Sequence, residues 1–128
     1  MSLFSRKQQV EEPDYEKIAD EFEKNFAMAF YKKYRNSTSS YLDSDFQNEI
    51  NSYPDNMIAK LIDIPDEMIE TIATTFHNTE KYTIDRITSF LSKRHAYLAS
   101  DRFMKMDLPS RSNVYDAKLE LLKFIRGY

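Results

Sequence analysis

Cysteine is absent from the sequence and glycine occurs once, and these two shortages exclude several classes of protein. Without cysteine the chain has no disulfide, thiolate zinc site, iron–sulfur cluster or cysteine nucleophile. A single glycine is too few for a phosphate-binding loop or a dinucleotide-binding fingerprint, since both need several glycines close together. With only 4 prolines, the chain is also poor in the turn-forming residues that a β-sandwich or β-barrel requires.

Long apolar runs are missing as well. No stretch reaches the roughly 18 apolar residues that a membrane-spanning helix needs, so the sequence predicts neither a membrane span nor a membrane partner. Near the first residue, Leu3 and Phe4 form a single apolar pair before Arg6 and Lys7, which is too short for the apolar core of a secretory signal. Together with the lack of cysteine, this pattern predicts a cytoplasmic protein.

The composition is that of one globular domain. The chain has 128 residues, of which 41% are hydrophobic and 30% are charged, so it can build a core without cross-links. Apolar residues recur at spacings of three and four, which is typical of helices. We therefore predict an all-α fold, with a single compact domain of five to six helices over residues 13–128. Residues 1–12 are predicted to be a flexible tail or a docked arm.

Six segments carry the helical pattern. They are residues 13–34, 44–52, 56–62, 65–77, 84–105 and 113–126. The segment at 84–105, with Thr83 as its N-cap, is predicted to be one long central helix. The last segment is predicted to begin at an Asn113 cap and to end before Gly127, which suits a left-handed residue after a helix. The apolar face of the first segment comprises Tyr15, Ile18, Phe22, Phe26, Ala29 and Phe30.

Residues 55–74 resemble the helix-turn-helix motif of phage and bacterial repressors. That motif has a small residue at its fifth position, which is Ala59 here. A small residue lets two helices approach closely, and apolar residues at fixed positions lock their crossing angle. The resemblance implies two helices joined by a tight turn and a role in DNA binding. Its apolar positions are occupied by Ile58, Ile62, Ile64, Ile69 and Ile72.

Two features depart from that motif. The turn position that is usually glycine is Asp63, and the second helix, which would enter the major groove, begins with acidic residues. Carboxylates at that end of the helix would repel DNA phosphates. We therefore predict that this stretch is a structural corner that presents an acidic protein-docking face. The residues of the predicted face are Asp63, Asp66, Glu67 and Glu70.

Charge is unevenly distributed along the chain. Residues 1–78 carry 8 Lys and Arg against 15 Asp and Glu, whereas residues 79–128 carry 10 against 6. Either the two halves pack against each other, which we favour, or the basic half attracts a polyanion. In the second case, cationic and aromatic side chains would contact nucleic acid. The predicted contacts are Lys93, Arg94, Tyr97, Arg102 and Lys105.

Residues with catalytic or metal-binding chemistry are few. The histidines, His77 and His95, have no partner at the spacing of three or four residues that is typical of metal ligands. No catalytic, cofactor-binding or metal-binding residue is predicted. An enzyme would need a site that the order of the sequence hides, such as one of these histidines next to a carboxylate.

The favoured function is that of a small non-enzymatic binding protein that docks on another protein as an adaptor, inhibitor or assembly subunit. Aromatic residues make up 14% of the chain and there are 6 methionines, and these residue types are common at adaptable interfaces. One alternative is a helix-turn-helix-type DNA-binding regulator. A second alternative is an enzyme with a hidden site.

Overall fold

The computed structural model describes residues 28–35 and 44–127, and every regular element in these two ranges is helical. Residues 28–35 form α1. The helices that follow are α2 (Ser44–Ser52), α3 (Asp55–Ile58), α4 (Ile69–Thr75), α5 (Lys81–Phe90), α6 (Lys93–Lys105) and α7 (Arg111–Arg126). Two short 3-10 helices, Ala59–Asp63 and Asp66–Met68, connect α3 to α4. The predicted all-α fold is confirmed, with seven α-helices in the described ranges instead of five to six.

The centre of the fold is α4, which packs against α6 on one side and α7 on the other. Ile72 and Ala73 of α4 are fully buried, and so is Phe76, which directly follows the helix. A helix of 7 residues is too short to be stable in water by itself. The stability of α4 therefore comes from its packing. Around this centre, α2 packs on α5, and α5 packs on the first 3-10 helix.

Three phenylalanine rings attach α1 to the centre of the fold. The Phe30 ring centroid in α1 lies 5.9 Å from that of Phe76 and 4.9 Å from that of Phe103 in α6. The centroids of Phe76 and Phe103 are 5.8 Å apart. Phe30 is buried, as predicted for the apolar face of the first helix, whereas Ala29 is exposed. The rest of that predicted face and the arm at residues 1–12 lie outside the described residues.

The prediction of one long central helix over residues 84–105 is wrong, because the structure divides it into α5 and α6. The division falls at Leu91 and Ser92, whose backbones are extended with ψ angles of 158° and 156°. The Ser92 hydroxyl accepts a hydrogen bond from the backbone N–H of His95 at 3.0 Å. This is the geometry of a helix N-cap, so Ser92 marks the start of a new helix.

Two predicted caps also differ from the structure. Thr83 is not the cap of α5, which begins at Lys81; it is buried inside the helix, where its hydroxyl accepts a hydrogen bond from the Asn51 amide at 3.0 Å. Asn113 is not the cap of α7 either. The Ser110 hydroxyl is the cap, and it accepts a hydrogen bond from the Asn113 backbone N–H at 3.2 Å. For α7 a neighbouring serine caps the helix end, whereas no side chain in the described residues caps α5, and the residue predicted to cap it is buried within the helix.

The predicted end of the last helix is confirmed. α7 ends at Arg126, and Gly127 follows it in the left-handed conformation with φ of 85°. The Gly127 N–H donates to the carbonyl groups of Lys123 and Phe124, which are otherwise unsatisfied at the end of a helix. The predicted bounds of α2 are also confirmed, at Ser44–Ser52.

Replacing the cap between α5 and α6 tests its contribution to stability. We expect Ser92→Ala to lower the free energy of unfolding by about 1 kcal/mol, because the His95 N–H loses its acceptor. Ser92→Asp keeps an acceptor and should stay close to the unmodified protein. Ser89→Ala, at an exposed serine of α5, is the matched control. Urea unfolding followed by far-UV circular dichroism measures all three, and equal losses for the two alanine variants would contradict the capping role.

Candidate docking surface

The four acidic residues that were predicted to form a docking face lie on the segment that leads into α4. Asp63 ends the first 3-10 helix, Asp66 and Glu67 belong to the second, and Glu70 is in the first turn of α4. All four residues are exposed. They are termed the acidic ridge below.

The spacing of buried residues explains why the predicted helices at 56–62 and 65–77 are only partly α-helical. Ile58, Leu61 and Ile64 are 0%, 0% and 2% exposed and are spaced three residues apart. A 3-10 helix has three residues per turn; Leu61 lies inside the first 3-10 helix and Ile58 and Ile64 directly flank it, so the spacing of the three buried residues matches that geometry. Ile62 does not share that spacing and is 52% exposed. Because Ile62 is also apolar and lies four residues after Ile58, the sequence alone does not distinguish this spacing from an α-helical one.

The other positions of the helix-turn-helix resemblance are partly buried. Ile72 is fully buried, whereas Ala59 and Ile69 are half-buried. At the turn position, Asp63 does not have the positive φ that a glycine would favour. In residues 28–35 and 44–127, the non-glycine residue with positive φ is Asn78, after α4. The turn is made instead by extended backbone at Ile64 and Pro65, with ψ angles of 136° and 157°.

Two of the residues that are predicted to contact nucleic acid form ion pairs with the acidic ridge. Arg94 of α6 binds Asp66 through both guanidinium nitrogens, with Nη1–Oδ1 and Nη2–Oδ2 distances of 3.1 and 2.9 Å. Four residues after Asp66, Glu70 in the first turn of α4 forms an ion pair with Arg102 of α6, with an Nη2–Oε1 distance of 3.1 Å. The acidic and basic sets that the sequence suggested as separate sites therefore meet along the contact between α4 and α6.

Asp66 has a second partner in α6. The imidazole Nε2 of His95 lies 2.7 Å from Asp66 Oδ1, and because an ionised carboxylate only accepts hydrogen bonds, Nε2 carries the hydrogen. Arg94, followed by His95, holds the pKa of the Asp66 carboxyl well below its usual range by hydrogen bonding to the charged form. His95 is 8% exposed, and its Nδ1 is buried without a hydrogen-bond partner among the described residues.

The sequence could not predict the contact between Asp66 and His95. Asp66 and His95 belong to different helices, and no local spacing relates them. The arrangement of a histidine next to a carboxylate that an enzyme would need is present here in outline. The Nε2 of His95 is hydrogen-bonded to Asp66 and its Nδ1 is buried, so this contact joins α6 to the acidic ridge.

The remaining predicted nucleic-acid contacts face outward from α6. Lys105 forms an ion pair with Asp101 at 3.0 Å, four residues earlier on the same helix. Lys93 is exposed, and Tyr97 is 42% exposed. Three of the five predicted cations and aromatics (Arg94, Arg102 and Lys105) are thus engaged by carboxylates of this chain.

On the ridge itself, two carboxylates stay available. The side chains of Asp63 and Glu67 form no ion pair or hydrogen bond with any residue in the described ranges. Ile62 directly precedes Asp63 and is half exposed. An apolar side chain and two unpaired carboxylates therefore lie within a few residues of one another on the solvent side of the ridge.

The second histidine, His77, is part of the core. It is 1% exposed, and its ring centroid lies 4.7 Å from that of Phe103. Neither ring nitrogen has a hydrogen-bond partner in the described parts of the chain. Burial, together with the smaller effects of the nearby ammonium groups of Lys33 and Lys118, lowers the pKa of His77 to about 4. His77 is therefore neutral near pH 7.

Comparisons of the chain with protein-family models, with curated proteins and with solved structures found no match. Over residues 28–35 and 44–127, no three His, Asp or Glu side chains come together in a way that could hold a metal ion. None of the described helices has both the length and the apolar character that crossing a bilayer requires. The geometry of the acidic ridge is therefore the basis for a functional proposal.

Two acidic residues on the same turn provide a matched test of the contact between the ridge and α6. We expect Asp66→Ala to destabilise the fold clearly more than Glu67→Ala, because it removes the partner of Arg94 and leaves the buried Nε2–H of His95 without an acceptor. Both substitutions remove one carboxylate near the start of α4, so their effects on helix electrostatics are similar. Urea unfolding at neutral pH measures the difference, and the same midpoint for both variants would contradict it.

The neutral, buried His77 makes stability depend on pH. The folded pKa of about 4 lies below the ordinary value near 6.5, so the unfolded chain binds the extra proton first as pH falls. The contribution of neutral His77 to the free energy of unfolding is complete above about pH 6.5. As the pH falls to about 4, this free energy decreases by roughly 3 kcal/mol. In His77→Leu this loss should disappear, and the variant should be at least as stable at pH 7. Urea unfolding of both proteins between pH 7 and 4 measures it, and parallel curves would contradict the assignment.

Proposed function

We propose that this chain is a small, non-enzymatic helical binding protein that docks on a basic surface of another protein through its acidic ridge. The observation that supports this most is the exposure of Ile62 on the same short segment as the unpaired carboxylates of Asp63 and Glu67, which follow it by one and five residues. An exposed apolar side chain and free carboxylates on one segment would supply the two features of a specific interface: an anchor and a charged rim.

The other half of the ridge supports the proposal by holding this surface in place. Asp66 and Glu70 are fixed by Arg94 and Arg102 of α6. Ile64, between the two 3-10 helices, is 2% exposed and anchors the segment in the core. A surface that is already ordered loses little conformational entropy when a partner binds. Docking there would therefore use existing structure and would not require the ridge to fold.

Charge indicates the chemistry of the partner. Asp63 and Glu67 would attract Lys or Arg side chains and increase the rate of association at low salt. Arginine suits such carboxylates because its planar fork binds both oxygens, as Arg94 does with Asp66 within this chain. The proposed partner is thus a protein with a basic surface and an apolar recess for Ile62.

A DNA-binding regulator is the second candidate. It is supported by Lys93 and Tyr97, which are exposed four residues apart on the outer side of α6. It is opposed by the carboxylates that already engage Arg94, Arg102 and Lys105. An acid–base role for His95 has less support, since both of its ring nitrogens are engaged or buried.

A double charge reversal tests the proposal. The tagged full chain is used to recover a partner from its native source, and the purified partner is then titrated by calorimetry. We expect Asp63→Lys with Glu67→Lys to weaken binding by about tenfold or more, because each substitution replaces an attraction with a repulsion. The matched control is Asp107→Lys with Asp116→Lys, two exposed acidic residues outside the ridge that give the same change in net charge.

The control and a DNA titration separate the outcomes. Equal weakening by both double variants would show a general effect of net charge and would overturn the role of the ridge. Binding of duplex DNA that falls steeply with salt, and that the ridge variant strengthens, would favour the DNA-binding regulator. No binding of duplex DNA at low salt would exclude that candidate.

A further inference from the structure

We draw no further inference here: the strongest candidate, the outward face of α1 where Met28 and Tyr31 are exposed and Arg35 lies over the Tyr31 ring, is an apolar patch for which nothing in the structure shows what covers it.

Discussion

The burial of α4 between α6 and α7 is the constraint on which the rest of the structure depends. The helix has 7 residues and gains its stability from the helices on either side. Because α6 has to lie along α4, the chain must change direction after α5. Ser92 makes that change possible by capping the new helix. Directly after α4, the ring of Phe76 contacts the rings of Phe30 and Phe103, so α1 packs against the same centre.

Ion pairs between the two parts of the chain accompany this packing. The sequence has an acidic first part and a basic second part, and the structure joins them where Asp66 meets Arg94 and Glu70 meets Arg102. Ion pairs this exposed contribute little stability each. Their effect is to fix the register of α6 on the segment before α4. The hydrogen bond that the buried imidazole of His95 donates to Asp66 contributes more to stability, because a buried donor is costly to leave unpaired.

The ion pairs with α6 also reduce the number of free carboxylates on the acidic ridge. A face of four free carboxylates would be a diffuse negative surface. With Asp66 and Glu70 paired with α6, the free carboxylates of the ridge are those of Asp63 and Glu67, on the same segment as the exposed Ile62. The proposed docking surface therefore combines one apolar side chain with two carboxylates, and such a combination would allow shape and charge to act together in recognition.

The sequence by itself determined what depends on neighbouring residues. Helical periodicity predicted an all-α fold and the bounds of α2, and a glycine after a helix predicted the left-handed end at Gly127.

Only the tertiary structure decided what depends on distant residues. The central place of α4 and the contact of Asp66 with His95 depend on segments far apart in the chain, and the break at Ser92 separates two helices that periodicity alone predicts as one. Serine favours a helix N-cap but is also tolerated inside helices, so the residue type alone does not place a break. The choice between them is made by which arrangement buries the apolar faces of neighbouring helices, and that burial is a property of the folded chain as a whole.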